Sequence, residues 1–373
     1  MVTDHQVDLA PTECIVAYEA PGEYASFPQL VRTDQSLVIV FQMQLLEGLK
    51  EKDLHPHHQP VCQLRYLESR DDGRTWSAHK TCPALGKVLD ISYGSAPRTD
   101  GGTVSLTFSQ DRPMKAIIEH GRIGTRPYHV KNADPSQQHP IDDLGPYDHA
   151  LPFGMTRLPS GDIVAACYML RDKAKPPGQS GTVMFLTSQD QGVTWRYLSG
   201  IQNNNLFTFS ETAILPVANG ELLAVLRTDW GDTPAEQRPE DASRGYGYFL
   251  YQSRSSDGGR QWSKPEQLPI WGHPPHLLRL QSGNILMVYG HRREPYSIRA
   301  VLSRDDGKSW DMSTLRTLRT FCPGHYDLGY PVATQVSDGA IICAYYGYSN
   351  DDMSLYSPHS IYVNRFTESW LLP

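Results

Sequence analysis

The chain runs to 373 residues, with 34 Lys plus Arg set against 41 Asp plus Glu, a formal net charge of −7. That acidic balance argues against a nucleic-acid partner, which would draw on a basic face, and no run of about eighteen apolar residues is there to span a membrane as a helix. Glycine (30), proline (28) and tyrosine (20) are plentiful while charged residues make up only 20%, a mix that suits many short strands joined by turns.

In chain order, the opening MVTDHQVDLAPTE carries no basic-then-apolar leader pattern, so the sequence as it stands reads as cytoplasmic, with residues 1–13 a tail. From there one unit recurs six times: a short strand, a tight turn and a strongly apolar strand. It reads FPQLVRTDQSLVIVF, SAPRTDGGTVSLTF, FGMTRLPSGDIVAACY, ETAILPVANGELLAVL, PHLLRLQSGNILMVY and YPVATQVSDGAIICAYY. The turns fall at Ser36, Gly101, Gly161, Gly220, Gly283 and Gly339, and glycine at five of the six is expected where the backbone takes positive φ. The gaps of 65, 60, 59, 63 and 56 residues leave room for about two further strands per repeat. Four strands, six times over, predict an all-β six-bladed β-propeller of four-stranded antiparallel blades, filling residues 14–373 as one domain.

A second motif interleaves with the first. Ser69-x-Asp71-x-Gly73-x-x-Trp76 recurs from Ser188 to Trp195, from Ser255 to Trp262 and from Ser303 to Trp310. Ser and Asp side chains fix a turn by bonding nearby amides, Gly takes the left-handed position, and Trp folds back to bury apolar surface. The six cysteines (Cys14, Cys62, Cys82, Cys167, Cys322 and Cys343) form no CxxC pair and mostly lie in apolar stretches, which predicts buried free thiols. His-Pro-His-His at 55–58 has no third ligand at recognisable spacing, so neither a metal nor another cofactor is expected.

Propeller geometry brings the heads of the inner strands together. The candidates there are Ser26, the stretch from Ser95 to Arg98, Asp148 with His149, Glu211, His273 with His276, and Asp327 with Tyr330. The long polar stretch from Gln110 to His149 is of a size that is usually functional.

The four S-x-D-x-G-x-x-W motifs are Asp-boxes, and the chain resembles the sialidase (neuraminidase) superfamily from about Cys14 to Phe366. The resemblance implies that the boxes are structural and lie in outer turns away from the active face. It also implies that CIVAYEA (14–20) pairs with SIYVNRF (360–366), so that both chain ends share the last blade. Sialidases use a Tyr nucleophile activated by Glu, an Asp acid/base and three Arg that clamp the substrate carboxylate. By resemblance Tyr330 takes the nucleophile's place, Glu211 that of its partner and Arg227 that of the second clamp arginine. Arg299 is the choice for the third, with Arg292 and Arg293 close rivals.

Two places depart from the pattern. Ser26, in Ala25-Ser-Phe-Pro28, stands where the first clamp arginine belongs; hydrogen bonds to charged groups contribute about 1.5–3 kcal/mol, so its loss lowers carboxylate affinity roughly 10- to 150-fold. The acid/base position falls in GLKEKDLHPHHQP, where Asp53, Glu51, His55, His57 and His58 compete. Histidine near the inner strands (His149, His273, His276, His325) offers an alternative acid or base. The expected function is a sialidase-like glycoside hydrolase acting on an anionic carbohydrate, with no nucleic-acid or membrane partner and the oligomeric state open. A non-catalytic glycan-binding propeller, a polysaccharide lyase using His and Tyr, and a protein-interaction scaffold are the rivals.

Overall fold

Apolar runs such as Ile285–His291 suit strands covered on both faces, and the computed structural model of the chain places them so. It describes residues 13–32, 36–48, 56, 63–81, 95–97, 103–109, 112–119, 138–141, 143–172, 182–202, 208–230, 249–322, 326–348 and 357–373. In chain order β1 (Glu13–Tyr18) is followed by β2 (Glu23–Arg32), β3 (Leu37–Leu45), β4 (Gln63–Ser69) and β5 (Lys80–Thr81). Next come β6 (Ser95–Pro97), β7 (Thr103–Ser109), β8 (Arg112–Glu119) and β9 (Gln138–Pro140). They lead into β10 (Tyr147–Arg157), β11 (Ile163–Asp172), β12 (Val183–Ser188) and β13 (Arg196–Ile201). After them run β14 (Thr208–Pro216), β15 (Leu222–Asp229), β16 (Phe249–Ser255) and β17 (Glu266–Trp271). The last strands are β18 (Pro275–Arg279), β19 (Ile285–His291), β20 (Ser297–Ser303), β21 (Asp311–Thr320), β22 (Gly329–Gln335), β23 (Ala340–Tyr348) and β24 (His359–Thr367), and a single helical turn α1 (Glu368–Leu371) follows.

Four sheets each hold four consecutive strands, β6–β9, β10–β13, β14–β17 and β18–β21. An eight-stranded sheet runs β22-β23-β24-β2-β3-β4-β5, with β1 also on β24. Its middle junction is a single parallel pair, Tyr24 beside His359. The expected pairing of the chain ends is present: β1 lies antiparallel on β24, with Cys14 opposite Asn364 and Ile15 opposite Val363. The strands group into two compact units, Met1–Thr81 with His276–Pro373, and Cys82–Pro275.

Within the second unit, β11 shows why the apolar runs are continuous. Ile163, Ala165 and Cys167 pack with Met184, Leu186 and Trp195, while the alternate residues Val164 and Ala166 pack with Phe185, Ile214 and Leu226. Successive side chains point to opposite faces, and both faces are covered. In the first unit Leu286, Val288, Leu302, Ile341, Cys343 and Tyr345 form the corresponding core.

The repeat turns take the predicted form at each described turn glycine. Gly161, Gly220, Gly283 and Gly339 have φ of 95°, 76°, 91° and 84°. Leu158, Leu280 and Val336 each receive the amide of the turn glycine at 2.9–3.0 Å, the geometry of a three-residue hairpin closing on a left-handed residue. Gly101 lies outside the described residues.

The four boxes repeat one hydrogen-bond pattern, each between the third and fourth strands of its set. Ser69, Ser188, Ser255 and Ser303 donate to Asp71, Asp190, Asp257 and Asp305 at 2.8–2.9 Å, and each accepts the amide of the box glycine at 2.7–2.9 Å. Trp195 donates its indole N–H to the Gly192 carbonyl at 2.9 Å, and the Trp262 ring stacks on Phe185 with centroids 4.3 Å apart. Among the described cysteines none is in a disulfide. Cys167 and Cys343 are buried as expected, but Cys14 and Cys322 are exposed, because β1 is an edge strand and Cys322 follows the end of β21. Burial raises the Cys167 and Cys343 thiols well above the usual range.

Candidate functional site

In the first unit, Tyr330 stands at the head of β22 with φ of 46°, directly after Gly329 at 124°. A bulky residue in the left-handed region costs on the order of 1–3 kcal/mol and persists only where its surroundings hold it. Phe27 does so from β2: its own φ is 53°, at a register shift between Ser26 and Gln29, and its ring meets Tyr330 edge-on at 4.7 Å. The guanidinium of Arg292 lies over the Tyr330 ring, 5.4 Å from its centroid, and is itself buried. A cation over an aromatic face is attracted by the ring quadrupole.

Behind this pair is a buried polar network. Asp327 accepts from the Tyr24 hydroxyl at 2.6 Å and from the Tyr346 hydroxyl at 2.7 Å. Burial, then the Asp327 charge, holds both phenols protonated well above their ordinary range. Ser26 is fully buried and lies opposite Gln42 in the β2–β3 pairing, while Tyr24 lies opposite Gln44. Among the described residues, the Ser26 hydroxyl and both amide atoms of Gln44 meet no hydrogen-bond partner.

Arg299, on β20 opposite Tyr289, is buried and donates from Nε to Ser297 at 3.1 Å. Close by, His291 is set against the Pro295 carbonyl at 3.1 Å and receives Arg293 at 3.4 Å. Burial, then the Arg299 charge, lowers it to about 3, so it is neutral at ordinary pH. His276 is a strut from β18 to β22, its Nε2 3.1 Å from the Ala333 carbonyl, and burial lowers it to about 4.

In the second unit, Glu211 is the fourth residue of β14 and Arg227 lies on β15, and Arg227 Nη1 donates to Glu211 Oε2 with both side chains buried. Arg227 also donates to Asp229 through Nε at 3.1 Å and Nη2 at 2.9 Å. Tyr168 reaches Glu211 at 3.4 Å. One guanidinium thus serves two carboxylates. His273 is fully buried, its ring 5.9 Å from that of Trp271. Asp148 and His149 lie on β10, His149 opposite Arg171. Arg98, Asp53, Glu51, His55, His57, His58 and His325 lie outside the described residues.

Of the residues expected from the sequence, Tyr330, Asp327 and Arg292 come together in the first unit, and Glu211 with Arg227 in the second. Arg292, a rival for the third arginine, is the arginine whose guanidinium lies over the Tyr330 ring. Phe27, Tyr24, Tyr346 and Asp229 belong to these clusters and were not anticipated. The two-residue spacing in Arg227-Thr-Asp229 and the alternation Tyr24-x-Ser26 were the legible signals, since such spacings put side chains on one strand face.

The family described as BNR repeat-like domain matches residues 150–343, more than half of the chain. Among solved structures, one of a protein of unknown function from Dyadobacter fermentans superposes with a TM-score of 0.69 at 22% identity, covering 95% of this chain and 98% of that one. The intramolecular trans-sialidase of Ruminococcus gnavus gives 0.58 at 14% identity over 96% and 98%. The leech intramolecular trans-sialidase, solved with 2,7-anhydro-Neu5Ac, gives 0.60 at 12% over 98% and 71%. At these identities the likeness is one of fold. A comparison with curated protein sequences finds no match. Repeats, boxes, sheets and family match agree, and the chain belongs to the BNR repeat-like domain family.

Proposed function

We propose that the protein is a sialidase-like glycoside hydrolase that removes a terminal acidic sugar from a glycan, and that its six repeats close as a six-bladed propeller. The observation that carries the reading is Tyr330, held at φ 46° between Phe27 and the Arg292 guanidinium. A strained, cation-capped tyrosine at a strand head suits a nucleophile toward an anionic sugar, because a carboxylate nucleophile would be repelled.

In this reading the Tyr330 oxygen bonds to the anomeric carbon as the glycosidic C–O bond breaks, and a base takes the phenolic proton. The departing oxygen gains its proton from an acid, and water then hydrolyses the tyrosyl intermediate. Arg292 and Arg299, in the same unit as Tyr330, supply positive charge for the substrate carboxylate. Release of fluorophore from sialoside and hexuronide substrates tests the proposal: wild type turns over one of them and Tyr330→Phe does not. Equal turnover by both proteins removes Tyr330 from the mechanism.

A second reading is a glycan-binding protein without turnover. Serine at position 26 and the prior commitment of Arg227 to Glu211 and Asp229 favour it. Saturable binding of the same sugars with no fluorophore release would select it. An unsaturated-uronate absorbance would instead identify a lyase.

A further inference from the structure

His359, the first residue of β24, is used by none of the steps above, yet its surroundings are specific. It is fully buried, with Nδ1 2.8 Å from the Ser357 carbonyl oxygen and Nε2 2.9 Å from the Asp327 carbonyl oxygen. A carbonyl oxygen can only accept a hydrogen bond, and a neutral imidazole has a single N–H. A neutral ring would therefore press one nitrogen lone pair against an oxygen lone pair inside 3 Å. An imidazolium donates at both ends. Its counter-charge is at hand, because Asp327 Oδ2 lies 3.4 Å from Nε2.

The same carboxylate has the Tyr24 hydroxyl on one oxygen and the Tyr346 hydroxyl on the other. A buried carboxylate is costly unless paired and fully hydrogen-bonded, and this one is met by two phenols and the imidazole. Among the described residues, ionisable groups facing His359 include the rings of Tyr24 at 4.4 Å, Tyr346 at 5.9 Å and Tyr348 at 6.2 Å. Burial is the first cause keeping all three phenols protonated. The charge of Arg292 acts on Tyr346, opposing the upward push of burial.

We propose that His359 is an imidazolium at neutral pH, and that the buried Asp327–His359 ion pair positions Tyr330. The pair fixes the Tyr24 and Tyr346 hydroxyls; the Tyr346 ring lies 5.9 Å from that of Tyr330, and Phe27 packs on both, at 5.3 and 4.7 Å. Asp327 is also only three residues before Tyr330, on the segment that enters β22. The charge assignment stands apart from the proposed hydrolysis, whereas the positioning role gains its catalytic meaning from it.

Long-range nitrogen–proton NMR on the full chain with ¹⁵N-labelled histidine tests the charge. The signal is assigned by its loss in His359→Gln or, where that variant does not fold, by its proximity to the Tyr24 ring. Both ring nitrogens are expected to be protonated at pH 7, above the ordinary histidine value of about 6.5. A singly protonated neutral ring at that pH overturns the proposal.

Positioning is read with ¹³C-labelled tyrosine in Asp327→Asn, or in Tyr24→Phe where the first variant fails to fold. The Tyr330 signal moves while that of Tyr251, in the other unit, stays; an unmoved Tyr330 overturns this half. Where wild type cleaves a fluorogenic glycoside, the same variant lowers kcat about tenfold with KM held within about twofold, and a loss carried by KM alone overturns it as well. Absence of turnover in wild type counts against the hydrolase reading only, because both NMR readouts still decide the ion pair and its effect on Tyr330.

Discussion

Arg292 caps Tyr330, its guanidinium carbon 5.4 Å from the ring centroid, while Phe27 closes on the same ring edge-on at 4.7 Å. Both contacts belong to the ring, not to its hydroxyl. Tyr330→Phe keeps both contacts and can lose at most what one hydrogen bond contributes, about 0.5–1.5 kcal/mol, whereas Arg292→Met loses a cation–π contact worth about 0.5–2 kcal/mol. Urea unfolding measures both. A Tyr330→Phe protein more than about 2 kcal/mol less stable would mean that the hydroxyl carries structural weight.

The Glu211–Arg227 pair makes a sharper contrast. Arg227→Met leaves Glu211 and Asp229 without their shared cation, and breaking a buried pair in that way costs about 3–5 kcal/mol. Glu211→Gln keeps a hydrogen-bond acceptor for Arg227 and leaves the Asp229 contact, so its cost is set at about 1–2 kcal/mol. Equal losses in the two variants would show that Asp229 does not hold Arg227 in solution.

Much of the frame was legible because it is local. The box pattern from Ser69 to Trp76 closes within eight residues, and hairpin glycines such as Gly283 answer to their own φ. Pairing of Cys14 with Asn364 was also within reach, since a first strand laid on the last one covers an otherwise unpaired edge. The Tyr330 surroundings were not. Asp327, Tyr24, Tyr346 and His359 meet across sequence separations of up to 335 residues, and nothing near Tyr24 signals that its hydroxyl will find a carboxylate. Phe27 was hidden because positive φ on phenylalanine is set by the bulge in β2, which only the register with β3 reveals.

The boxes predict an acid response. Burial raises the Asp71 carboxyl, but hydrogen bonds from the Thr75 hydroxyl and amide and from Ser69 outweigh it and set it at about 2; Asp190, Asp257 and Asp305 are lowered by the same kind of bonds. A carboxylate with a lowered folded value stabilises the fold above its unfolded value, about 3.9, and that contribution is lost as pH falls toward 2. Melting temperature followed from about pH 5 to pH 2 should therefore drop less steeply in Asp71→Asn than in wild type. Parallel curves would mean that Asp71 titrates as in the unfolded chain.

His276 acts in a higher window. The unfolded imidazole takes a proton near pH 6.5, but burial holds the folded one neutral down to about 4. Below about 6.5 the unfolded state binds more protons, so stability declines as pH falls toward 4 and this contribution levels off beneath it. Replacing His276 by Gln, which offers an N–H to the Ala333 carbonyl but does not titrate, should flatten that stretch of the curve. An unchanged slope would place the proton uptake on another histidine.

Gly154 separates close backbone approach from turn conformation. It lies on β10, and a methyl group added there would fall within the van der Waals radius of the Thr212 carbonyl oxygen on β14. That oxygen is backbone of a strand paired with β15 and cannot rotate away as a side chain would, so Gly154→Ala forces β10 and β14 apart and costs about 3 kcal/mol. Gly339→Ala meets nothing within contact range, but its φ of 84° disfavours any side chain, for about 1–2 kcal/mol. The two variants also differ in kind, since crowding between sheets perturbs the packing of Ile214 and Val164 whereas turn strain stays at the hairpin. Near-ultraviolet circular dichroism should change in Gly154→Ala and hold in Gly339→Ala, and the reverse order of stabilities would show that β10 and β14 do not approach at that point.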